Sequence, residues 1–429
     1  MKKRFYNPLL FGLILIILAS ACEESSIDNS QEGPPSSFEL LTVAEDATNV
    51  ALTPEFSWQA ATDPEGDTVV YDLYLSAYDR DITLVASNLA TNSYTLPDPL
   101  ENFENYVWKV IAKDSEGNTT ESTSKKFTTR GYTLNLNTSD IGAILRSGYN
   151  TFAFNNHQWL LGGFKGVGTD PGYLDDIYRS TDGVIWTIAN GDATFDPRTF
   201  HTSVVHDSKV WVIGGESGVR PSATFNLNDV WSSLDGVNWT EATSTAAFSK
   251  RRYLSSVSFN NRLWIIGGQD GNFNWKNDVW SSSDGISWTE ATSAAPFTPR
   301  GNVKTLVFDN KLWVIGGNDD DTNLKNDIWY TTNGSNWTQV TLPTNFAADP
   351  NNYGLGAVVF KSKLLVFRGN TVYFTKNTSD WFTGTLDVPS SGANPINLAS
   401  ENIFEFDNTL SLIFGTDFSG AIKVYNYSD

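Results

Sequence analysis

NTFAFNNHQWLLGG, residues 150–163, returns as HTSVVHDSKVWVIGG (201–215), SSVSFNNRLWIIGG (255–268) and KTLVFDNKLWVIGG (304–317). Each copy reads as an alternating apolar strand, a short polar turn and a second strand halted by a glycine pair. The pairs end at Gly163, Gly215, Gly268 and Gly317, 52, 53 and 49 residues apart, a period that belongs to stacked repeats. Two degenerate copies follow, GAVVFKSKLLVFRG ending at Gly369 and ENIFEFDNTLSLIFG ending at Gly415. A second hairpin follows in the four clear units: DIYRSTDGVIWT from Asp176, DVWSSLDGVNWT from Asp229, DVWSSSDGISWT from Asp278 and DIWYTTNGSNWT from Asp327. Asp-Gly and Asn-Gly supply the positive φ of a tight turn. Trp186, Trp239, Trp288, Trp337 and Trp381 each stand four residues past the turn Asp or Asn, so they share one structural position. Four strands per unit make a propeller blade, and residues 130–429 are expected to form six of them. The last unit ends in VYNYSD, a third strand without a fourth, whereas Tyr132, Leu134 and Leu136 alternate just ahead of the first unit. That early segment is expected to supply the missing strand and latch the ring.

The glycine pairs, the turn and the tryptophan after it resemble the kelch repeat, and the SxDGxxW turn is similar to a shortened Asp-box of sialidase-type propellers. The resemblance spans the 130–429 segment and implies the propeller fold. Kelch propellers include binding proteins, enzymes and cytoskeletal partners, so function follows from it only by analogy.

Sixteen residues before the first glycine of each pair stand Arg146, Arg198, Arg251 and Arg300; the equivalents in blades five and six are Asn352 and Leu398. The register places these arginines just ahead of the innermost strands, crowded on one face near the axis. Guanidinium pairs bidentately with carboxylate, sulfate or phosphate, so the cluster is expected to favour an anion. Kelch proteins that take acidic peptides resemble this, with arginines around the channel mouth. The competing reading is that each arginine pairs with a neighbouring acid such as Asp196 or Glu216 and holds the blade junction, because buried charges need partners. Loops on the same face add Phe164, Lys165 and Tyr173, then Glu216, Arg220 and Phe225, then Gln269, Asp270, Phe273 and Trp275. Phe273 and Trp275 fall outside the core pattern and offer a platform for a sugar or peptide, or else pack inward. The expected ligand-binding set is Arg146, Arg198, Arg251, Arg300, Arg220, Trp275 and Phe273.

Composition narrows the chemistry. With 29 Lys plus Arg against 49 Asp plus Glu, the formal charge of −20 offers nothing to the phosphates of nucleic acid, and no nucleic-acid partner is expected. The one cysteine excludes an internal disulfide and any multi-thiolate zinc site. Galactose oxidase also has kelch-like blades, but its copper centre needs histidines and a cysteine crosslinked to tyrosine. Here His157, His201 and His206 occupy three different registers. A sialidase-like hydrolase, a lyase or a sugar epimerase would need a paired acid and nucleophile. Tyr149, Tyr253, Glu216 and Asp196 lie near the right face with nothing in the spacing to pair them. No catalytic residue, metal site or cofactor is therefore expected.

Lys2, Lys3 and Arg4, the apolar run Leu9 to Leu18 and the small residues Ala19, Ser20 and Ala21 form a secretory signal over residues 1–21. Cys22 directly after it resembles the lipobox cysteine of bacterial lipoproteins, which implies acylation there and anchoring in the cell envelope of a Gram-negative bacterium, at the outer membrane or cell surface. Glu23 and Glu24 resemble the acidic export signals of surface lipoproteins in the Bacteroidetes group. Residues 22–37 are polar and read as a tether.

Residues 38–129 alternate in short runs: FSW at 56–58, VVYDLYLS at 69–76 and YVWKVIAKD at 106–114. Tyr71, Leu73 and Leu75 are expected on one face and Tyr106, Trp108, Val110 and Ala112 on the opposed sheet of a β-sandwich. Trp58, with Leu100 and Tyr106 at the spacing of a tyrosine corner, resembles fibronectin type III domains, which implies an Ig-like sandwich that spaces or presents its neighbour. Asp63, Glu65 and Asp67 could offer oxygens to calcium, or form a solvated turn. The whole is expected to be all-β: a fibronectin type III-like sandwich, then a six-bladed kelch-like propeller. The expected work is non-catalytic binding of a glycan or envelope protein, with anionic ligands favoured by the arginines.

Overall fold

The computed structural model describes residues 33–138, 146–165, 172–218, 225–319, 323–343, 346, 354–386, 402–415 and 422–428. The signal segment, Cys22 and Arg220 lie outside the described residues.

The repeat folds as its turns dictate. In all six units the first two strands are joined by two residues with positive φ: Asn155–Asn156, Asp207–Ser208, Asn260–Asn261, Asp309–Asn310, Lys361–Ser362 and Asp407–Asn408. That backbone matches the right-handed twist of antiparallel strands, and Asn and Asp tolerate it best. Blade one comprises Asn150–Phe154, His157–Lys165, Gly172–Ser180 and Thr187–Asn190 in sequential antiparallel order, and blades two to five repeat that order. Blade six comprises Asn402–Phe406, Thr409–Gly415 and Ile422–Ser428, completed by Thr133–Thr138 from before blade one. The latch expected from the sequence is therefore present. The innermost strands touch in a closed circle, with Asn150–Phe154 meeting both Thr202–His206 and Asn402–Phe406.

Neighbouring blades interlock through the turn glycine. A Cβ on Gly236 would lie 2.7 Å from the ring of Trp159 in blade one, and one on Gly285 would lie 2.0 Å from that of Trp211 in blade two. Gly334 meets Trp264 of blade three in the same way. Blade five has Thr378 where blades one to four have glycine, and there Trp381 packs near Trp313 of blade four, centroids 6.4 Å apart.

In the N-terminal domain Ala47–Val50, Lys125–Thr129, Asn105–Lys113, Val70–Ala77 and Thr83–Leu89 follow one another across one sheet. The pair Glu55–Ser57 and Ser93–Thr95 forms the second. Phe56, Trp58, Tyr71, Leu73, Leu75, Tyr106, Trp108, Val110 and Ala112 are all buried in the shared core. The expectation that the Tyr71 and Tyr106 runs lie on opposed sheets is corrected: they are antiparallel neighbours in one sheet, Leu73 opposite Val110. Both runs turn the same face inward, which period-two alternation cannot distinguish from two facing sheets. The Tyr106 hydroxyl accepts the amide of Glu101 at 3.2 Å, and burial pushes its pKa up to about 12. The domain begins slightly before Phe38, since Pro35 is buried and Ser36 pairs with Thr62.

The two domains share a core. Phe103, fully buried, sits against Tyr132, Phe374 and the bare backbone of Gly131 and Gly384. Around it Lys363 donates to the carbonyl of Asn102, and Glu104 bridges Lys363 at 3.2 Å and Lys376 at 2.6 Å. A spacer on a loose joint would not bury a phenylalanine and a lysine at the joint.

Candidate functional site

The glycine pairs and the register arginines prove to be parts of one device. The first glycine of the pair has positive φ, and in blades one to three the sheet register slips across the pair. Its carbonyl then turns to the arginine: Arg146 Nη1 donates to Gly162, Arg198 Nη1 to Gly214, Arg251 Nη1 to Gly267 and Arg300 Nη1 to Gly316. The same guanidiniums grip the first acid of the second hairpin bidentately: Asp176, Asp229, Asp278 and Asp327 respectively. For Arg251 and Arg300 the remaining donors go to Ser249 and Thr298, so all five are engaged. The four arginines are at most 2% exposed. The expectation that Arg146, Arg198, Arg251 and Arg300 gather an anionic ligand is therefore corrected. They hold each blade together from inside; the carboxylate partner is the third-strand aspartate, while Asp196 contributes only its backbone carbonyl, which accepts Arg198 Nε at 3.0 Å, and Glu216 is bound instead by Tyr173 and Arg252. Burial pushes the Asp278 and Asp327 carboxyls up, but the hydrogen bonds and charge of their arginines outweigh it and hold both below the usual range.

Two residues past each arginine the chain turns left-handed, at Gly148 (φ 63°), Phe200 (52°), Tyr253 (59°) and Asn302 (52°). These amides link the blades in a chain around the axis: Phe200 N–H to Gly148 C=O, Tyr253 to Phe200, and Asn302 to Tyr253. Left-handed backbone is costly for a bulky aromatic, and such strain concentrates at functional sites. The rings form a ridge across the blade entrances. Phe200 lies over Gly148 and stacks obliquely on Tyr253 at 4.3 Å, Tyr253 stacks on Trp275 at 5.8 Å, and Trp275 lies over Gly301. Phe200, Tyr253 and Trp275 are half-buried, while Phe273, itself left-handed, is 65% exposed.

Beneath the ridge is a charged network. Arg252, next to the register arginine, donates to Glu216 Oε2 and through Nε and Nη2 to Gln269 Oε1, and its guanidinium lies 4.9 Å from the Tyr253 ring and 5.8 Å from that of Phe273. Glu216 also accepts the Tyr173 hydroxyl at 2.7 Å. Trp275 joins the ridge through Tyr253 and Phe273 lies by the Arg252 guanidinium, with Phe200, Tyr253 and Arg252 as members the sequence did not single out for binding. The register could have found Phe200 and Tyr253, because they share one offset from the arginine.

His157 Nδ1 meets the Asn155 carbonyl, His206 meets Ser258 Oγ, and His201 is buried between blades. Asp63 Oδ1 accepts the amides of Glu65 and Asp67, a self-contained turn. Among the described residues no three His, Cys, Asp or Glu side chains are placed to hold a metal.

The family pattern of the kelch-repeats domain of KLHDC2, KLHL20 and DRC7 matches residues 148–370. Among solved structures the chain is similar to that of YjhT, with 14% identity and a TM-score of 0.47, over 67% of this chain and 95% of that one. No curated protein matches the sequence.

Proposed function

The chain belongs to the kelch-repeat family, and on that premise we propose that it is a non-catalytic binding module that takes a glycan across the aromatic ridge at the blade entrances. The observation that carries this reading is Phe200 and Tyr253 held left-handed in register, so that strained backbone presents ring faces where packing alone would not ask for them. Ring faces stack on the apolar faces of sugars, while the exposed Asn302 side chain offers hydrogen bonds to hydroxyls. Since the register arginines are consumed internally, acidic and neutral glycans are expected to bind alike. Affinity electrophoresis of the intact chain through matched acidic and neutral polysaccharides tests this, with Tyr253→Gly as the variant. Glycine keeps the left-handed backbone and deletes the ring. Retardation of the native chain that is lost in the folded variant supports the ridge, and equal retardation of both refutes it. No retardation in any gel moves the search to a protein ligand in the envelope.

One observation favours a second reading: the Tyr173 hydroxyl on Glu216 is a tyrosine–carboxylate pair of the kind a glycan-cleaving enzyme would need. Arg252 pins the other carboxylate oxygen, however, which ties this carboxylate into the internal network. Assaying the same gels for new reducing ends decides it. The setting we propose is a lipoprotein of the cell envelope, acylated at Cys22, with the fibronectin type III-like sandwich carrying the propeller. Loss of labelled palmitate and release from the membrane fraction in Cys22→Ser would support it, and unchanged fractionation would not.

A further inference from the structure

A cavity of about 640 Å³ lies where the sandwich meets blade five, between Ala47–Val50 and Lys125–Thr129 on one side and Thr341–Pro343 and Ser379–Thr383 on the other. We propose that this groove is a second binding site, for a neutral oligosaccharide. The inference goes beyond the axial ridge and does not rest on it.

The groove is preformed. Its walls are clamped by buried Phe103 and by Glu104 with Lys363 and Lys376, so occupying it requires no domain closure. Small-molecule sites of about 300–1,000 Å³ occur preferentially at such domain junctions. The lining supplies ring faces and hydrogen-bonding groups of both polarities. Tyr78 is 48% exposed on the sandwich wall, and Trp381 and Phe382 are half-buried on the blade wall. Lys126 reaches the Tyr78 hydroxyl at 3.3 Å and lies 4.4 Å from its ring centre, which holds that ring in place at the rim. Asp46 and Asp380 provide acceptors for hydroxyl donors, and threonine side chains from both walls both donate and accept. Two carboxylates against one ammonium leave no surplus positive charge for an acidic sugar, and the chain as a whole carries −20. Sugar rings, with apolar C–H faces and hydroxylated edges, match such a lining.

On the blade wall the turn Asn377 to Asp380 keeps the hydrogen bonds of its counterparts, with Asn377 Oδ1 accepting the amides of Ser379 and Asp380, although Thr378 stands where blades one to four have a glycine of positive φ.

The test uses the intact chain on an array of neutral and uronic-acid oligosaccharides, followed by hydrogen exchange with the best neutral hit. Binding that slows exchange at 46–48, 126–128 and 379–383, and that weakens about tenfold in Tyr78→Ala while surviving Tyr253→Gly, supports the groove. Tyr78 is a rim residue, and the exposed Asp380→Ala provides a second reading from the opposite wall. Protection confined to residues 200, 253 and 273 with loss in Tyr253→Gly alone would assign the sugar to the ridge and overturn the groove. Absence of any neutral hit, or capture of acidic sugars only, would overturn it as well.

Discussion

Replacing Arg251 with alanine separates a blade clamp from a ligand contact. The side chain is 1% exposed, and its five donors reach Gly267, Asp278 twice, and Ser249 twice. Truncation leaves Asp278 as a mostly buried carboxylate whose remaining partner in this cluster is the indole N–H of Trp280, at 2.9 Å. Breaking one side of a buried ion pair costs about 3–5 kcal/mol, against roughly 5–15 kcal/mol for a whole domain. An arginine on an open ligand face would change stability by only about 0.5 kcal/mol. Urea unfolding of native chain and variant, followed by tryptophan fluorescence, measures the difference. The pH dependence adds a second signature. With Arg251 present the Asp278 carboxyl is depressed, so its contribution is intact above the ordinary carboxylate pKa and is lost as pH falls through the folded value. Without the arginine, burial is opposed only by the Trp280 hydrogen bond and the Lys276 charge, so the carboxyl is held down less and the penalty eases as the pH drops. The deficit of Arg251→Ala should therefore be largest at neutral pH and shrink toward pH 4. Where the variant proves too unstable to purify, Arg251→Lys keeps one charge, loses the fork and should show the same trend in smaller measure. A midpoint within about 0.5 kcal/mol of the native chain would refute the clamp.

Gly285→Ala drives a Cβ into the ring of Trp211 at a residue with φ of 73°, and about 1–3 kcal/mol of overpacking should lower the thermal midpoint; an unchanged midpoint would mean the blades do not interlock as described. Phe103→Ala removes the plug between the domains at about 3–5 kcal/mol. Calorimetry should then resolve sandwich and propeller into separate transitions, and a profile identical to the native one would argue against a shared core. His201 finds no partner for either ring nitrogen among the described residues, and burial, aided by the nearby Arg198 charge, pushes its pKa down to about 3. The unfolded chain then binds the additional proton between about pH 6.5 and 3, so this contribution to stability is intact above that window and declines as the pH falls through it. His201→Leu should flatten the acid limb of the stability curve, and parallel curves for variant and native chain would count against a neutral buried histidine.

The propeller was legible because its signals are local. Paired polar turns, period-two strands and tight-turn glycines each act within a few residues, so six copies could be counted and the missing strand located at Thr133–Thr138. The sandwich was legible in its inward faces but not in its sheet assignment. Whether the Tyr71 and Tyr106 runs pair or face each other depends on long-range order that alternation does not encode. The arginine register was visible, yet its meaning was not. Asp176, Asp229, Asp278 and Asp327 were quoted as the starts of hairpins, and only the fold shows them reaching back 27 to 31 residues to the guanidiniums.

That misreading has a physical root. A residue repeated at the same register of successive blades sits in the same environment each time, and the environment common to all blades is the blade itself. Repetition therefore selects for internal contacts, here an arginine bound to a glycine carbonyl and an aspartate. A ligand that breaks the pseudo-symmetry of the ring meets what differs from blade to blade. The left-handed position shows both effects in one register: its backbone is common to four blades and links them, while its side chain changes from none at Gly148 to Phe200, Tyr253 and Asn302. Arg252 doubles the arginine in blade three alone, and in blade five Thr378 stands where blades one to four have the turn glycine. The ridge is built from such departures, so substitutions there should alter binding with little effect on folding, whereas substitutions in the shared register should do the reverse.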